Sequence, residues 1–407
     1  MHRVRMSLPY YMEFGWKADI VTVKEQYIDL TQDKLLLDCV PLNLTIHKIN
    51  ALSKKTTSKI GLGNLGLRSF YNYYVFVNNL LARQHFDLIY FSTTEFTLCI
   101  LGTYWKKKFK IPFVIDIQDP WHTEYYKDKP TYEKPPKYWF SYRLNKFLEP
   151  IAMKAVSALI SVNQNYLDDL KNRYTQITNL PNAIIPFSSS NTDFEIALHN
   201  NSNFPVYFKN NYKIKITYVG VAGSIMKQSI KKLLLAIKNL VESNAKLAEN
   251  IEFYFLGTDY SPLGKGRKTI EPVAIELGIN KYIIENTDRL GFYNSINHLQ
   301  MSDGLFMIGS DDPSYLGSKL WNLLSCDKQI FSLLHEKSPA NRILSKYKCV
   351  TMCNIKQVQE QINLAFESFI LKINDDLPIK NNDIYEAKVM TKHQCTLFDE
   401  IIKSTLE

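Results

Sequence analysis

One stretch of the chain combines residue types that hold an anion with the elements that would position them. Gly317, Ser318 and Lys319 form a polar loop, followed by leucines at helical spacing and then by a buried-strand pattern at 330–334. A loop that opens onto a helix N-terminus presents free backbone N–H groups, and the helix dipole favours negative charge there. Ser318 and Lys319 would add a hydroxyl group and a positive charge. The stretch predicts an anion site, although an ordinary helix start with a surface lysine has the same pattern.

A second glycine-containing turn lies between a predicted strand and a predicted helix. Gly220 and Gly223 would let the backbone approach a bound group closely, and Lys227 opens the helix. A lone pair of glycines at this spacing is weak evidence, since a tight turn with a solvated lysine looks the same. The position of the turn at the start of an α/β half strengthens the prediction of a ligand site.

Polar residues also follow a predicted strand in the first half of the chain. Asp116 ends that strand, and Asp119 and His122 come directly after it. Ligands collect in loops at the carboxyl ends of parallel strands, where Asp119 could orient or deprotonate a ligand hydroxyl group and His122 could form a hydrogen bond with the ligand. A role as loop caps is equally compatible. Neither Asp116 with Asp119 nor Asp311 with Asp312 has a third oxygen ligand nearby, so no metal site is predicted.

Strand and helix patterns alternate along the chain, which predicts an α/β protein with parallel sheets in two successive doubly wound domains. Predicted strands are 18–23, 86–91, 113–117, 158–162, 215–220, 251–256, 282–285, 304–308 and 330–334. Predicted helices are 3–14, 70–83, 94–104, 143–155, 163–174, 227–243, 271–277, 294–301, 356–369 and 386–403.

The predicted organisation has two Rossmann-like domains, at 1–190 and 214–375. A polar stretch without periodicity, 191–213, reads as the linker between them. Residues 376–407 are expected to form a C-terminal helix that packs back toward the first domain. The first domain is predicted to lack its opening strand, because a helix begins almost at Met1. Either the start is misassigned or the chain is truncated, and a sheet slot would stay unfilled.

Composition places the chain among folded proteins. Hydrophobic residues make up 45% of the 407 residues and aromatic residues 13%, which does not suggest disorder. No window approaches the roughly 18 apolar residues of a membrane span, and no secretory signal is visible. Six scattered cysteines are best read as reduced thiols of a cytoplasmic protein.

The formal net charge of +9 partly reflects a general preference for lysine, but two clusters stand out. Residues 105–110 carry four lysines and no acid, and 124–146 interleave aromatic with basic residues. Such a surface suits anionic lipid headgroups and also single-stranded nucleic acid. Because no nucleic-acid motif occurs, we expect membrane contact and no nucleic-acid partner.

The loop–helix–strand stretch resembles the donor-site signature of family 4 glycosyltransferases, which reads roughly Pro-Ser-Lys-Leu-(aromatic)-Glu-Tyr-Leu-Ala-Ala-Gly-Lys-Pro-Val-Leu. The residues in register are Ser318, Lys319, Leu320, Trp321, Leu324 and Lys328. The departures are Asn322 in place of a glutamate, Ser314 where a paired acid is frequent, and Gln329 in place of a proline.

Other segments resemble the same family in order along the chain. Lys227 matches a lysine that binds the donor diphosphate, while Val221 stands where the family has an arginine. The turn 289–291 resembles one whose backbone recognises the nucleobase. The segment 116–122 resembles an Asp-x-(Arg/His)-Asp-Pro-Trp form, and Pro181-Asn182 resembles a Pro-Asn-Gly turn with alanine in place of the glycine.

The resemblance implies a two-Rossmann (GT-B) fold with the domains facing a cleft, and a bacterial enzyme of polysaccharide or lipid-linked glycan assembly. Such an enzyme is a retaining transferase without metal or cofactor, which moves a sugar from a nucleotide-diphosphate donor to a glycan or lipid-linked acceptor. It would be cytoplasmic, at the inner face of the plasma membrane. Implied catalytic residues are Lys227, Lys319, Asp119 and His122. Implied donor-binding residues are Gly220, Gly223, Arg289, Leu290, Gly291, Ser318, Lys319 and Asn322.

Three alternatives remain open at this point. A non-catalytic or degenerate nucleotide or glycan binder fits Asn322 and the missing strand. A nucleotide-sugar epimerase of the same architecture would need no acceptor. A nucleic-acid binder would show steep salt dependence.

Overall fold

The computed structural model describes residues 2–28, 33–60, 62–135, 137–209, 212–259, 261, 263–375 and 385–406. The chain forms two compact units, Met1–Ser188 with Tyr385–Glu407, and Ser189–Ile384. The predicted boundary at 376 and residues 210 and 211 of the predicted linker lie outside the described residues.

The first unit alternates strands and helices. Its elements in chain order are α1 (His2–Ser7), β1 (Asp19–Val23), β2 (Thr45–Ile49), α2 (Lys54–Thr57), α3 (Leu65–Arg83), β3 (Ile89–Phe91), α4 (Ile100–Phe109), β4 (Phe113–Ile117), α5 (Tyr138–Met153), β5 (Ala158–Ser161), α6 (Gln164–Arg173) and β6 (Asn182–Ile184).

The second unit repeats the alternation. Its elements are α7 (Asn191–His199), β7 (Ile214–Val219), α8 (Lys227–Ser243), α9 (Ala245–Ala248), β8 (Ile251–Leu256), α10 (Glu271–Glu276), β9 (Ile283–Asn286), α11 (Phe292–Gln300), β10 (Gly304–Ile308), α12 (Leu320–Leu324), β11 (Gln329–Leu334), α13 (Pro339–Leu344), β12 (Val350–Asn354) and α14 (Gln359–Leu371). The final helix of the chain, α15 (Ala387–Leu406), belongs to the first unit.

The second unit is built on one six-stranded parallel sheet in the order β12-β11-β10-β7-β8-β9. Its inner strands are largely buried; β8 and β10 are buried along their whole length. The chain builds outward from β7 through β8 to β9, then returns to β10 and builds the other way. The carboxyl ends of β7 and β10 therefore form a topological switch point, the place where open α/β sheets bind ligands.

The first unit has two parallel sheets among its described residues, β1-β2 and β3-β4-β5-β6. No described strand joins β1 to β3. The two strands that would flank it are mostly half-buried, whereas β4 and β5 are fully buried. The predicted α/β class and Rossmann-like halves are confirmed.

Two sequence predictions need correction. The predicted helix 3–14 is two pieces, α1 and a 3₁₀ turn at Tyr11–Phe14, because Pro9 disfavours helical backbone at the residue before it and offers no N–H. The predicted linker contains a helix, α7, which packs against α11. The hydroxyl group of Tyr293 on α11 donates to the carboxylate of Asp193 on α7 (3.0 Å). The buried face of α7 includes Asp193, so its sequence lacks an apolar stripe.

A buried ion pair fastens α1 to the sheet of the first unit. The guanidinium group of Arg3 lies 2.7 Å from Oδ2 of Asp116 on β4 and donates to the Ile185 carbonyl oxygen (2.6 Å). The same Oδ2 accepts hydrogen bonds from Tyr90 and Gln118. Because Asp116 is fully buried, its charge depends on these partners.

We expect Arg3→Met to lower the free energy of unfolding of the first unit by about 3–5 kcal/mol, since it leaves a buried carboxylate without its counter-charge. Adding Asp116→Asn should restore part of that loss. Scanning calorimetry measures both, with Lys17→Met as a control at an exposed cation. An unchanged transition in Arg3→Met would refute the role of the pair.

Candidate functional site

The loops that follow β7 and β10 are bonded to each other at the switch point. The Asp311 N–H donates to the Ile225 carbonyl oxygen (3.2 Å), and the Ser229 hydroxyl group donates to the Gly309 carbonyl oxygen. Ser229 lies in the first turn of α8, so both bonds fix the start of that helix. The two predicted ligand turns are therefore parts of one structure.

Lys319 links these loops through its side chain. Its ammonium group donates to the Val219 carbonyl oxygen at the end of β7 (2.8 Å). The residue as a whole is exposed, but Nζ turns inward among protein atoms. Burial, together with the positive charge of Arg289, lowers the pKa of Lys319 from 10.5 to about 8. The structure thus brings Lys319 and Arg289 into one electrostatic neighbourhood.

Gly220 makes the position of Lys319 possible. A Cβ atom at Gly220 would lie 3.0 Å from Nζ of Lys319 and 3.0 Å from the hydroxyl oxygen of Tyr218. Gly223 has room instead, since a Cβ there would meet only Val221 at 4.0 Å. The two glycines, which the sequence treats alike, therefore differ: only Gly220 is required by a close approach.

The N-terminus of α8 directly follows the turn that contains Gly220 and Gly223. Met226 is its N-cap and supplies no side-chain hydrogen bond to the first turn. Lys227 is exposed there. The helix dipole of α12 contributes less positive field at its N-terminus than the sequence predicts. This helix has only five residues, and Lys319 occupies its N-cap.

The remaining predicted donor-site residues lie on the same unit. The turn of Arg289 and Leu290 packs on Gly257, whose added Cβ would lie 3.6 Å from the Leu290 N atom. Gly291 is the N-cap of α11. Ser318 is exposed, and Asn322 is half-buried on α12. Their ligand contacts stay predictions.

Asp119 and His122 lie in the first unit. Asp119 is exposed, yet crowding by neighbouring protein atoms raises the pKa of its carboxyl group. His122 is buried; Nδ1 faces Nη1 of Arg173 at 2.8 Å, and burial followed by the Arg173 charge lowers the pKa of His122. A neutral imidazole that accepts at Nδ1 carries its proton on Nε2. Thus His122 is a hydrogen-bond donor held in a structural network, and a general-base role for it is not favoured.

No cluster of three or more His, Cys, Asp or Glu side chains with metal-binding geometry occurs among the described residues. Asp116, one member of the acid pairs considered from the sequence, is engaged by Arg3. Asp312 accepts from the Ser314 N–H (2.8 Å). Within the described part of the chain, no helix is both long and apolar enough to cross a bilayer.

Several residues that shape the sites were missed from the sequence. Tyr218 donates from its hydroxyl group to the Val221 carbonyl oxygen (2.8 Å) and shapes the turn around Gly220. Glu149, fully buried, pairs with Arg173 (2.7 Å) and accepts from the His122 N–H. The role of Tyr218 could have been predicted, because it is a tyrosine near the end of an apolar strand. The pairing of Glu149 with Arg173 could not, because no local sequence pattern indicates it.

Comparison with known proteins identifies the fold. The sequence matches no protein-family model and no curated protein sequence. Solved structures match along most of the chain. A UDP-forming trehalose-phosphate synthase from Burkholderia xenovorans, in complex with glucose-6-phosphate, has a TM-score of 0.56 at 11% identity, covering 99% of this chain and 93% of that one.

Two further structures agree. WaaG, a glycosyltransferase of lipopolysaccharide biosynthesis, has a TM-score of 0.54 at 14% identity, over 99% of this chain and 94% of that one. A trehalose-6-phosphate synthase studied for glycosyl transfer with retention has a TM-score of 0.53 at 11% identity, over 93% and 92%. At such identities the likeness defines the fold: the chain has the two-Rossmann fold of GT-B glycosyltransferases, as predicted.

Proposed function

We propose that the protein is a glycosyltransferase that moves a sugar from a nucleotide-diphosphate donor to a glycan or lipid-linked acceptor, with retention at the anomeric carbon. The observation that carries the proposal is the ammonium group of Lys319, which is fixed over Gly220 at the switch point of a Rossmann-like unit. Arg289 and the N-terminus of α8, whose N-cap residue makes no side-chain bond, add to the positive field. Such a place suits a diphosphate.

The proposed chemistry is stabilisation of the leaving group. When the bond between the sugar and the diphosphate breaks, negative charge grows on the departing oxygen, and Lys319, Lys227 and the first-turn N–H groups of α8 face that charge. Donors placed in advance at a developing charge lower the barrier more than they strengthen ground-state binding. The departing oxygen can accept the acceptor proton, which reduces the demand on a protein base. No step in this scheme requires a metal or a cofactor.

On the acceptor side, we assign Asp119 to orient the acceptor hydroxyl group. We assign the Nε2–H of His122 to donate a hydrogen bond. The exposure of Asp119 supports the first role. Among the described residues Nε2 of His122 has no hydrogen-bond partner, since Oε1 of Glu124 lies 3.6 Å away, which supports the second. Asn322, where the resembling family has a glutamate, would bind a hydroxyl group without charge. A lipid-linked acceptor fits peripheral contact with an anionic membrane at its cytoplasmic face.

Two alternatives differ in their products. A nucleotide-sugar epimerase would convert donor without any acceptor, and a degenerate binder would bind nucleotide without releasing nucleoside diphosphate. Release of nucleoside diphosphate from UDP- or GDP-sugars, measured with and without a lipid-linked glycan acceptor, separates them from a transferase.

We expect Lys319→Ala and Lys227→Ala each to reduce turnover by roughly 100-fold, because one donor to a developing oxyanion is typically worth that much. The assay is nucleoside diphosphate release with the preferred donor. Lys231→Ala, an exposed lysine further along α8, is the matched control and should keep full activity. Normal rates in both site variants would remove the proposed site.

Gly220→Ala and Gly223→Ala form a second matched pair. The first places a methyl group against Nζ of Lys319, whereas the second fits in free space. We expect Gly220→Ala to weaken nucleoside diphosphate binding by about 10-fold or more. The methyl group would displace Nζ of Lys319, and loss of its charge-assisted hydrogen bond to the diphosphate costs roughly 1.5–3 kcal/mol. Calorimetric titration measures both variants; equal affinities would contradict the role given to the close approach.

A further inference from the structure

Three helices of the first unit present aromatic and basic side chains to solvent. The exposed apolar or aromatic residues include Tyr71 on α3 (71%), Tyr104 on α4 (37%), and Trp139 (64%), Phe147 (69%) and Ile151 (37%) on α5. The sequences of these helices contain one acid, Glu149. It is fully buried and paired with Arg173. Their outward faces therefore carry only neutral and positive groups.

The three helices are joined into one surface. The hydroxyl groups of Tyr74 on α3 and Tyr104 on α4 lie 3.3 Å apart, and their rings are in contact at 5.2 Å. Thr103 on α4 donates to the Ile151 carbonyl oxygen on α5 (3.2 Å). Along α5, positions 139, 143, 147 and 151 recur every four residues and so share one side of the helix. We call this continuous surface the α3–α4–α5 face.

Cations stand among the apolar residues of this face. Nζ of Lys108 lies 5.6 Å from the ring centroid of Tyr104, and the guanidinium group of Arg143 lies 5.7 Å from that of Trp139. Lys107 and Lys146 are exposed beside them. Aromatic contact holds these charges near the rings, so headgroup-binding and membrane-inserting groups alternate.

The positive charge lies on the helices more than on the loop that precedes α5. In the loop, Lys127 pairs with Glu124 (3.3 Å) and Lys129 with Glu133 (3.9 Å). The aromatic-basic segment predicted from the sequence is thus largely neutralised in its first half. Its second half, on α5, joins the lysines of α4.

We propose that the α3–α4–α5 face docks on an anionic lipid bilayer, with Trp139, Phe147 and Ile151 immersed below the headgroups. Negative headgroups complement the unopposed cations, and the interfacial zone favours tryptophan and tyrosine rings. Single-stranded nucleic acid would also accept rings and cations. Phe147 and Ile151 carry no hydrogen-bonding group, and an aliphatic residue offers no ring for base stacking, so the bilayer fits better. The face lies in the first unit, and the inference stands apart from the donor site.

The test uses the full chain and vesicles of phosphatidylcholine with or without phosphatidylglycerol. We expect sedimentation with the anionic vesicles only, together with a blue shift of tryptophan emission. Trp139 is the reporter: Trp105, Trp121 and Trp321 are buried, and Trp16 is bonded to Asp399. Trp139→Phe should keep most of the binding and abolish the shift.

Two sets of variants separate the apolar and electrostatic parts. Trp139→Ala with Phe147→Ala should weaken vesicle binding by about 10-fold or more through lost apolar burial. Arg143→Gln with Lys146→Gln should weaken it by about fivefold per charge. Leu364→Ala with Leu371→Ala, equally exposed leucines of the second unit, is the control and should change nothing.

Four results would overturn the inference outright, and a fifth would reassign the face. These are equal binding to neutral and anionic vesicles, no binding to either, and unchanged binding by the two face variants when circular dichroism shows them folded. The fourth is a dimer in light scattering that the Trp139→Ala, Phe147→Ala variant dissociates, which would make the face a contact between copies. Binding of a single-stranded oligonucleotide without vesicle binding, lost in the same variants, would assign the face to nucleic acid.

Discussion

The hydrogen bond from Lys319 to the Val219 carbonyl oxygen is the interaction on which the second unit's site depends. It joins the loop before α12 to the end of β7 across the switch point, and it passes close to Gly220, where an added Cβ would lie 3.0 Å from Nζ. Burying the ammonium group costs free energy, and the lowered pKa of Lys319 reflects that cost. Because the folded-state pKa of about 8 lies below the unfolded value, burying the charged amine opposes folding below pH 8, and this opposition fades as pH rises toward 10.5. A bound diphosphate would offset that cost directly.

The two units differ in how the strands of their sheets are paired. In the second unit β7 is central, and β8 and β10 pair with it on either side. In the first unit the described strands leave β1 and β3 without such a common neighbour, and most residues of both strands are half-buried. The first unit is instead tied together from the side of α1, by the buried pair of Arg3 and Asp116 and by packing of α1 against α15.

Much of the fold was readable from the sequence because continuous apolar runs mark buried parallel strands. The predicted bounds of β4 and β10 coincide with the structure, and the predicted end of the first helical segment at residue 14 is followed by Gly15 with a left-handed backbone. What failed depends on tertiary contacts or on polar burial. Helix α7 was missed because it buries Asp193 against Tyr293, a contact a hundred residues away. The inward turn of Lys319 and the different needs of Gly220 and Gly223 follow from packing that local pattern does not record.

Proton linkage to nucleotide binding tests the central role of Lys319 most directly. At pH 8 and above, part of the Lys319 population is neutral in the free protein, and a bound diphosphate should draw a proton onto it. Calorimetric titration with UDP and GDP in two buffers of different ionisation enthalpy measures that uptake. We expect a buffer-dependent enthalpy for the preferred nucleotide, which Lys319→Ala abolishes. Absence of binding by either nucleotide, or binding with the same proton uptake in Lys319→Ala, would contradict the account.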